Sequence, residues 1–245
     1  MIATDKFVFL HLERTGGNFF SDFLRLFIPG EELAYHAPRN RLPGQYAQLP
    51  VIGFIRNPWD WYVSFYYHKR FKLDLLRNDP ALEHLDFASA TRALLHLGAD
   101  RPPFNEVKQG FVNLCPELPP VESMGVTKAE LRAFRDEGIG FYTWMVLRMF
   151  AGKRALDDVR FGRFEDLVPE IERLLVELEY EITDEMSATL RTLVNPNPTN
   201  HQHYSAYYDD ELRAEVAKQD RLIIERFGYT FEAPPRPDAV LKAPC

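Results

Sequence analysis

Cysteine is scarce in this chain: Cys115 and Cys245 are the two among 245 residues. Two thiols, one at the very end, exclude the disulfide framework of a small secreted domain and lead to the expectation of a reduced, cytoplasmic protein. No stretch approaches the roughly 20 apolar residues of a membrane span, and the run from Phe7 to Leu12 is too short for a signal-peptide core. No Ser/Gly linker, low-complexity block or internal repeat divides the sequence, so one domain is expected over residues 1–245. The Gly-x-x-x-x-Gly-Lys-Ser/Thr loop is missing, and with it the lysine and magnesium-binding hydroxyl of an ATP or GTP site. Nor is there an excess of positive charge. The net charge of −7 excludes nonspecific binding to nucleic acid or to an anionic membrane.

What is present is a full core's worth of apolar residues, 46% of the chain with 13% aromatic, and two short segments of distinctive chemistry. Phe7-Val8-Phe9-Leu10 reads as a strand. Phe19, Phe20, Phe23, Leu24 and Phe27 recur at helical spacing, which predicts a helix from about Asn18. Between them lie Arg14, Thr15, Gly16 and Gly17, a turn in which glycine lets successive N–H groups point into one concavity. Val51-Ile52-Gly53-Phe54-Ile55 reads as a second buried strand, ending at Arg56. Asn57 suits an N-cap, Pro58 the first helical position and Asp60 the first turn. Ser64 falls one turn later, where it can face back toward Arg56. Each segment sets anion-binding groups at a helix N-terminus, and two such sites side by side suit a nucleotide with two separate phosphates. Residues 1–72 carry 9 Lys+Arg against 6 Asp+Glu, so the local positive charge lies with the motifs.

On these residues the sequence resembles the sulfotransferase superfamily, closest to its carbohydrate-modifying branch and in a soluble, bacterial-type form. His11-Leu12-Glu13-Arg14-Thr15-Gly16-Gly17-Asn18 is similar to the family's 5′-phosphosulfate loop, and Arg56-Asn57-Pro58 with Ser64 to its 3′-phosphate motif. The resemblance runs weakly through Phe141–Met145, Arg163–Leu167 and the region from Asn195 to Phe231. It implies an α/β fold, a P-loop-like three-layer sandwich whose central parallel sheet of four or five strands is flanked by helices, with residues 73–138 as an insertion shaping the acceptor site. It also implies transfer of a sulfuryl group from 3′-phosphoadenosine 5′-phosphosulfate to a hydroxyl of an acceptor, a small molecule or glycan, leaving 3′,5′-ADP with no metal required. The expected donor contacts are Arg14, Thr15, Gly16, Gly17, Asn18, Phe19, Arg56 and Ser64. Two departures stand out: Arg14 replaces the family lysine that neutralises the leaving group, and Asn18 replaces a hydroxyl residue. The first motivates a rival reading, a noncatalytic nucleotide-binding homologue of the same fold. A P-loop small-molecule kinase is a weaker third.

Sulfuryl transfer needs a base for the acceptor hydroxyl. His36, expected at the end of a strand over Glu32–His36, is the first candidate; Glu13 and His11 are its rivals. The loop of Pro38, Arg39, Arg41 and Pro43 is a candidate lip for donor or acceptor. His201 and His203 make a weak metal pair, with no matched cysteine or carboxylate. The aromatic cluster of Trp59, Trp61, Tyr62, Phe65, Tyr66 and Tyr67 reads as core, and Glu165 and Asp166 as groups orienting Arg163 or capping a helix. Thr183 suits an N-cap, and residues 209–227 read as one long helix closed by Gly228.

Overall fold

The computed structural model describes residues 1–72, 74–117, 126–135, 138–193 and 200–232. The Pro119-Pro120 turn, Asn195 and Cys245 lie outside them. In chain order the elements are β1 (Ile2–Thr4), β2 (Val8–Phe9), α1 (Gly17–Phe27), β3 (Gly30–Glu32), β4 (Val51–Ile55), α2 (Pro58–Tyr67), α3 (Phe87–Leu95), α4 (Phe104–Leu114), α5 (Lys128–Ala133), α6 (Phe141–Met149), β5 (Val159–Arg163), α7 (Leu167–Glu177), α8 (Asp184–Thr192), α9 (Asp210–Gln219) and α10 (Arg221–Phe227).

The strands form one five-stranded sheet in the order β3-β1-β2-β4-β5. β2, β4 and β5 are parallel, with Val8 opposite Val51 and Val51 opposite Val159. β1 is antiparallel to both neighbours. Two reversals cancel, so β3 runs with the parallel strands and all four carboxyl ends open on one edge, where ligands bind in open α/β sheets.

Both sheet faces are covered, which gives the three layers. On one, Phe9 and Phe54 meet Phe20 of α1 at ring separations of 4.9 and 5.3 Å, and Ile171, Leu174 and Leu175 of α7 and Leu190 of α8 complete the layer. On the other, Val8, Leu10, Val51 and Ile55 pack against α2 and α6 through Trp61, Tyr62, Phe65 and Tyr142. A sheet buried on both faces explains why β4 is apolar at every position. The aromatic cluster of α2 is accordingly core, with Trp61, Tyr62 and Phe65 no more than 1% exposed.

Three sequence expectations are corrected. The strand predicted over Glu32–His36 is Gly30–Glu32, and His36 sits in the following loop with φ of 49°. Residues 209–227 form two helices that meet at Asp220, whose carboxylate turns inward to bond Tyr62 and Thr143. Glu165 neither orients Arg163 nor caps α7: its Oε1 accepts from Asn57 N–H at 2.6 Å, so it ties the end of β5 to the start of α2. Asn57 itself caps α2, accepting from Trp59 N–H, with Pro58 at the first position. Thr183 caps α8 through Met186 N–H, and Gly228 ends α10 in the left-handed region.

Candidate functional site

At the carboxyl edge, where β2, β4 and β5 end, a cavity of about 40 Å³ is lined by His11, Arg14, Gly16, Gly17, Asn18, Phe19, Arg56 and Phe164. The loop that forms it is shaped by two glycines for different reasons. Gly16 precedes α1 with φ of 84°, a conformation that glycine takes without steric cost. At Gly17 an added Cβ would fall 1.9 Å from the His11 ring, so only a bare Cα lets the imidazole pack flush against the helix start.

α1 has no side-chain cap and no acidic residue in its first turn. The N–H groups of Gly17, Asn18 and Phe19 have no intrahelical acceptor, and the helix dipole adds partial positive charge at the same spot. Two guanidinium groups join them. Arg56 Nη1 donates to the Arg14 carbonyl at 3.1 Å, joining the β2 and β4 ends, while Arg56 Nη2 lies 2.7 Å from Asp60 Oδ2 and its Cζ stacks 4.1 Å over the Phe164 ring. Arg14 Nε donates to Ser64 Oγ at 3.0 Å. Ser64 therefore answers Arg14 and not Arg56, because Asp60, one helical turn after Arg56, already occupies that fork. Burial, and next the neighbouring Arg56 charge, lower the Arg14 pKa to about 10, which still leaves it protonated at neutral pH.

Six of the eight expected donor contacts line the cavity; Thr15 and Ser64 do not. The Thr15 hydroxyl donates to the Leu12 carbonyl at 2.9 Å and so braces the turn from within. Phe164, which falls in the Arg163–Leu167 stretch of the resemblance, was not among the expected donor contacts, yet it lines the cavity. The basic lip engages protein groups: Arg39 donates to the Ala155 carbonyl at 3.4 Å and Arg41 lies 3.7 Å from Glu130. His203 Nδ1 sits 2.8 Å from Ser205 Oγ, and among the described residues no cluster of three or more His, Cys, Asp or Glu is placed to hold a metal ion.

Beneath the loop lies a buried ionic group. Glu13 pairs with Lys69, both almost fully buried, and Trp61 Nε1 fixes the Glu13 carbonyl at 2.9 Å. Burial pushes the Glu13 carboxyl up, but the Lys69 ammonium outweighs it and the net pKa is lowered. His36 Nδ1 lies 2.8 Å from the His11 carbonyl, and the two imidazoles are 4.2 Å apart. A carbonyl only accepts, so His36 carries its proton on Nδ1 and a lone pair on Nε2. Burial lowers the His36 pKa to about 4 and holds His11 well below the usual histidine range.

These shifts have a sign. A histidine held neutral contributes its full stability above its unfolded pKa near 6.5 and loses it as pH falls toward its folded value. For His36 the loss amounts to about 3 kcal/mol. Asp220 works in the opposite direction, its pKa raised by burial to about 6, so it favours the folded state increasingly as it protonates. Glu165, also raised by burial, sides with Asp220, while the Met1 ammonium, lowered by burial to about 6, sides with the histidines; above pH 6 the histidines and the terminus prevail. Urea unfolding midpoints are therefore expected to fall from pH 7.5 to pH 5, and His36→Asn to reduce that fall; equal midpoints in the native chain would contradict the assignment.

No family model matches this chain, and no curated protein does. Among solved structures it is similar to mouse sulfotransferase SULT7A1 in complex with PAP, with a TM-score of 0.50 and 14% identity over 97% of this chain and 85% of that one. The likeness is one of fold: this chain shares the α/β architecture of a sulfotransferase.

Proposed function

We propose that this chain is a sulfotransferase that takes a sulfuryl group from 3′-phosphoadenosine 5′-phosphosulfate and passes it to a hydroxyl, with a carbohydrate as the acceptor class. The observation that supports it most is the meeting of an uncapped helix N-terminus with Arg14 and Arg56 around one cavity. The neighbouring fold, solved with PAP, agrees with a donor bearing phosphates at both ends of an adenosine. The donor supplies an activated sulfuryl group whose leaving oxygen belongs to a phosphate.

This chain's residues then have three tasks. The N–H groups of Gly17, Asn18 and Phe19 and the Arg14 guanidinium hold the 5′ end and stabilise charge that grows on the leaving oxygen. Arg56, held by Asp60 and the Arg14 carbonyl and stacked on Phe164, offers the remaining hydrogen on each Nη to the 3′-phosphate. The acceptor proton goes to His11, which lines the cavity; His36, the first candidate from the sequence, lies outside that lining and behind His11, with the rings 4.2 Å apart and its Nδ1 on the His11 carbonyl, so it acts by positioning His11. Glu13, paired with Lys69, serves to hold the loop.

Calorimetry tests the reading. Tight binding of 3′,5′-ADP without magnesium is expected, and ATP with magnesium should bind far more weakly; the reverse order would overturn the proposal in favour of a kinase. Transfer of labelled sulfate to a panel of glycans and small hydroxylated compounds separates an enzyme from a binding-only homologue, and His36→Gln should reduce turnover without changing affinity for 3′,5′-ADP.

A further inference from the structure

β4 ends at Ile55, whose carbonyl accepts the last sheet bond, from Phe164 N–H at 2.8 Å. The N–H and C=O of Arg56 lie one residue beyond that ladder. A single phenol satisfies both: Tyr142 Oη accepts from Arg56 N–H at 2.9 Å and donates to the Arg56 carbonyl at 2.9 Å. Behind it the chain of bonds continues. Tyr142 N–H donates to Tyr62 Oη at 3.2 Å, and Tyr62 O–H donates to Asp220 Oδ2 at 2.8 Å. Asp220 Oδ1 accepts from Thr143 N–H at 2.9 Å and from its hydroxyl at 2.7 Å. Tyr62, Tyr142, Thr143 and Asp220 are all 0% exposed. The backbone at Gly140 closes over the pair, since a Cβ there would lie 2.7 Å from Asp220 Oδ2 and 2.8 Å from Tyr62 Oη.

We infer that Asp220 is a positioning residue for the 3′-phosphate: through Tyr62 and Tyr142 it fixes the Arg56 backbone, and so the place from which the guanidinium reaches into the cavity. The inference rests on the proposed donor reading and extends it to residues with no contact to the ligand. Three donors converge on the one carboxylate, and two of its bonds return to α6 at Thr143, so the carboxylate locks α2, α6 and the α9–α10 junction together. A buried network whose members are all satisfied holds its geometry rigidly. It is placed where the sheet's own hydrogen bonding stops.

The test compares two probes, 3′,5′-ADP and 5′-AMP, which differ by the 3′-phosphate alone. In the native chain 3′,5′-ADP should bind much more tightly. Tyr142→Phe keeps the ring and removes the phenol; it is expected to reduce the ratio of the two affinities at least ten-fold while 5′-AMP binding stays within about two-fold. Asp220→Asn should move the ratio in the same direction by a smaller factor. A merely structural role would lower the melting temperature and weaken both probes alike. Should Tyr142→Phe fail to fold, Tyr62→Phe, which opens the chain one link further from Arg56, carries the same comparison. An unchanged ratio in the folded variants overturns the relay while leaving the proposed function standing. Absence of any preference for 3′,5′-ADP in the native chain overturns the assignment of the 3′-phosphate and the relay with it.

Discussion

Arg56→Ala is expected to weaken 3′,5′-ADP binding by about 100- to 1,000-fold, roughly 3–4 kcal/mol, because charge-assisted bonds to a phosphate are lost and the anion is left without its guanidinium. The fold should survive. Asp60, the ion-pair partner of Arg56, has a side chain 18% exposed and keeps some access to water, so the cost to stability stays at or below the low end of the roughly 3–5 kcal/mol for breaking a fully buried pair, a shift of several degrees in melting temperature. Arg56→Lys should recover only part of the affinity. An ammonium cannot present paired donors, and it cannot stack flat on Phe164 as the guanidinium does at 4.1 Å. The measurement is calorimetric titration with 3′,5′-ADP alongside a thermal melt. Affinity within three-fold of the native value in a folded Arg56→Ala would remove Arg56 from the donor site.

The part of this site that was legible in the sequence is the part specified locally. Strand β4, apolar to Ile55 and followed by Arg56, Asn57 and Pro58, announces its own end and the next helix start within eight residues. The glycine pair before the α1 stripe does the same. What was not legible depends on partners far along the chain. Ser64 could be placed on its helix face, but its choice of Arg14 over Arg56 follows from Asp60 having taken the fork, a competition that spacing alone does not decide. β1 is three residues long and β3 is wholly exposed, so neither carries a periodic signal. The helix predicted through Asp220 has an amphipathic pattern that continues across the break; the break comes from a carboxylate drawn into the core by Tyr62 and Thr143. Phe164 is one more residue in an aromatic-rich sequence until the parallel pairing of β4 and β5 puts it beside Arg56.

The loop beneath the site gives the second large effect. Lys69→Met is expected to destabilise the protein by about 3–5 kcal/mol, because it leaves the Glu13 carboxylate buried without its counter-charge. Glu13 is 6% exposed, and its Oε2 already has no hydrogen-bond partner, so little else is available to replace the lost ammonium. The penalty should depend on pH with a definite sign. With Lys69 present, the Glu13 pKa is held below its unfolded value, and the pair contributes stability that is lost as pH falls through that depressed value. With Lys69 gone, burial, the largest cause, outweighs what remains from His36 and His68 and raises the Glu13 pKa above its unfolded value. The variant then folds best with Glu13 protonated and loses stability as pH rises through the new value. The deficit relative to the native chain should therefore be larger at pH 8 than at pH 5, read from chemical denaturation at both. The double variant Glu13→Gln, Lys69→Met, which removes both charges and keeps the volume, should regain most of the loss. A single variant with a deficit that does not change with pH, or a double variant no more stable than Lys69→Met, would show that Glu13 does not depend on Lys69 for its charge. Since Trp61 anchors the carbonyl of Glu13 one residue before Arg14, recovery of 3′,5′-ADP binding should follow recovery of stability in the double variant.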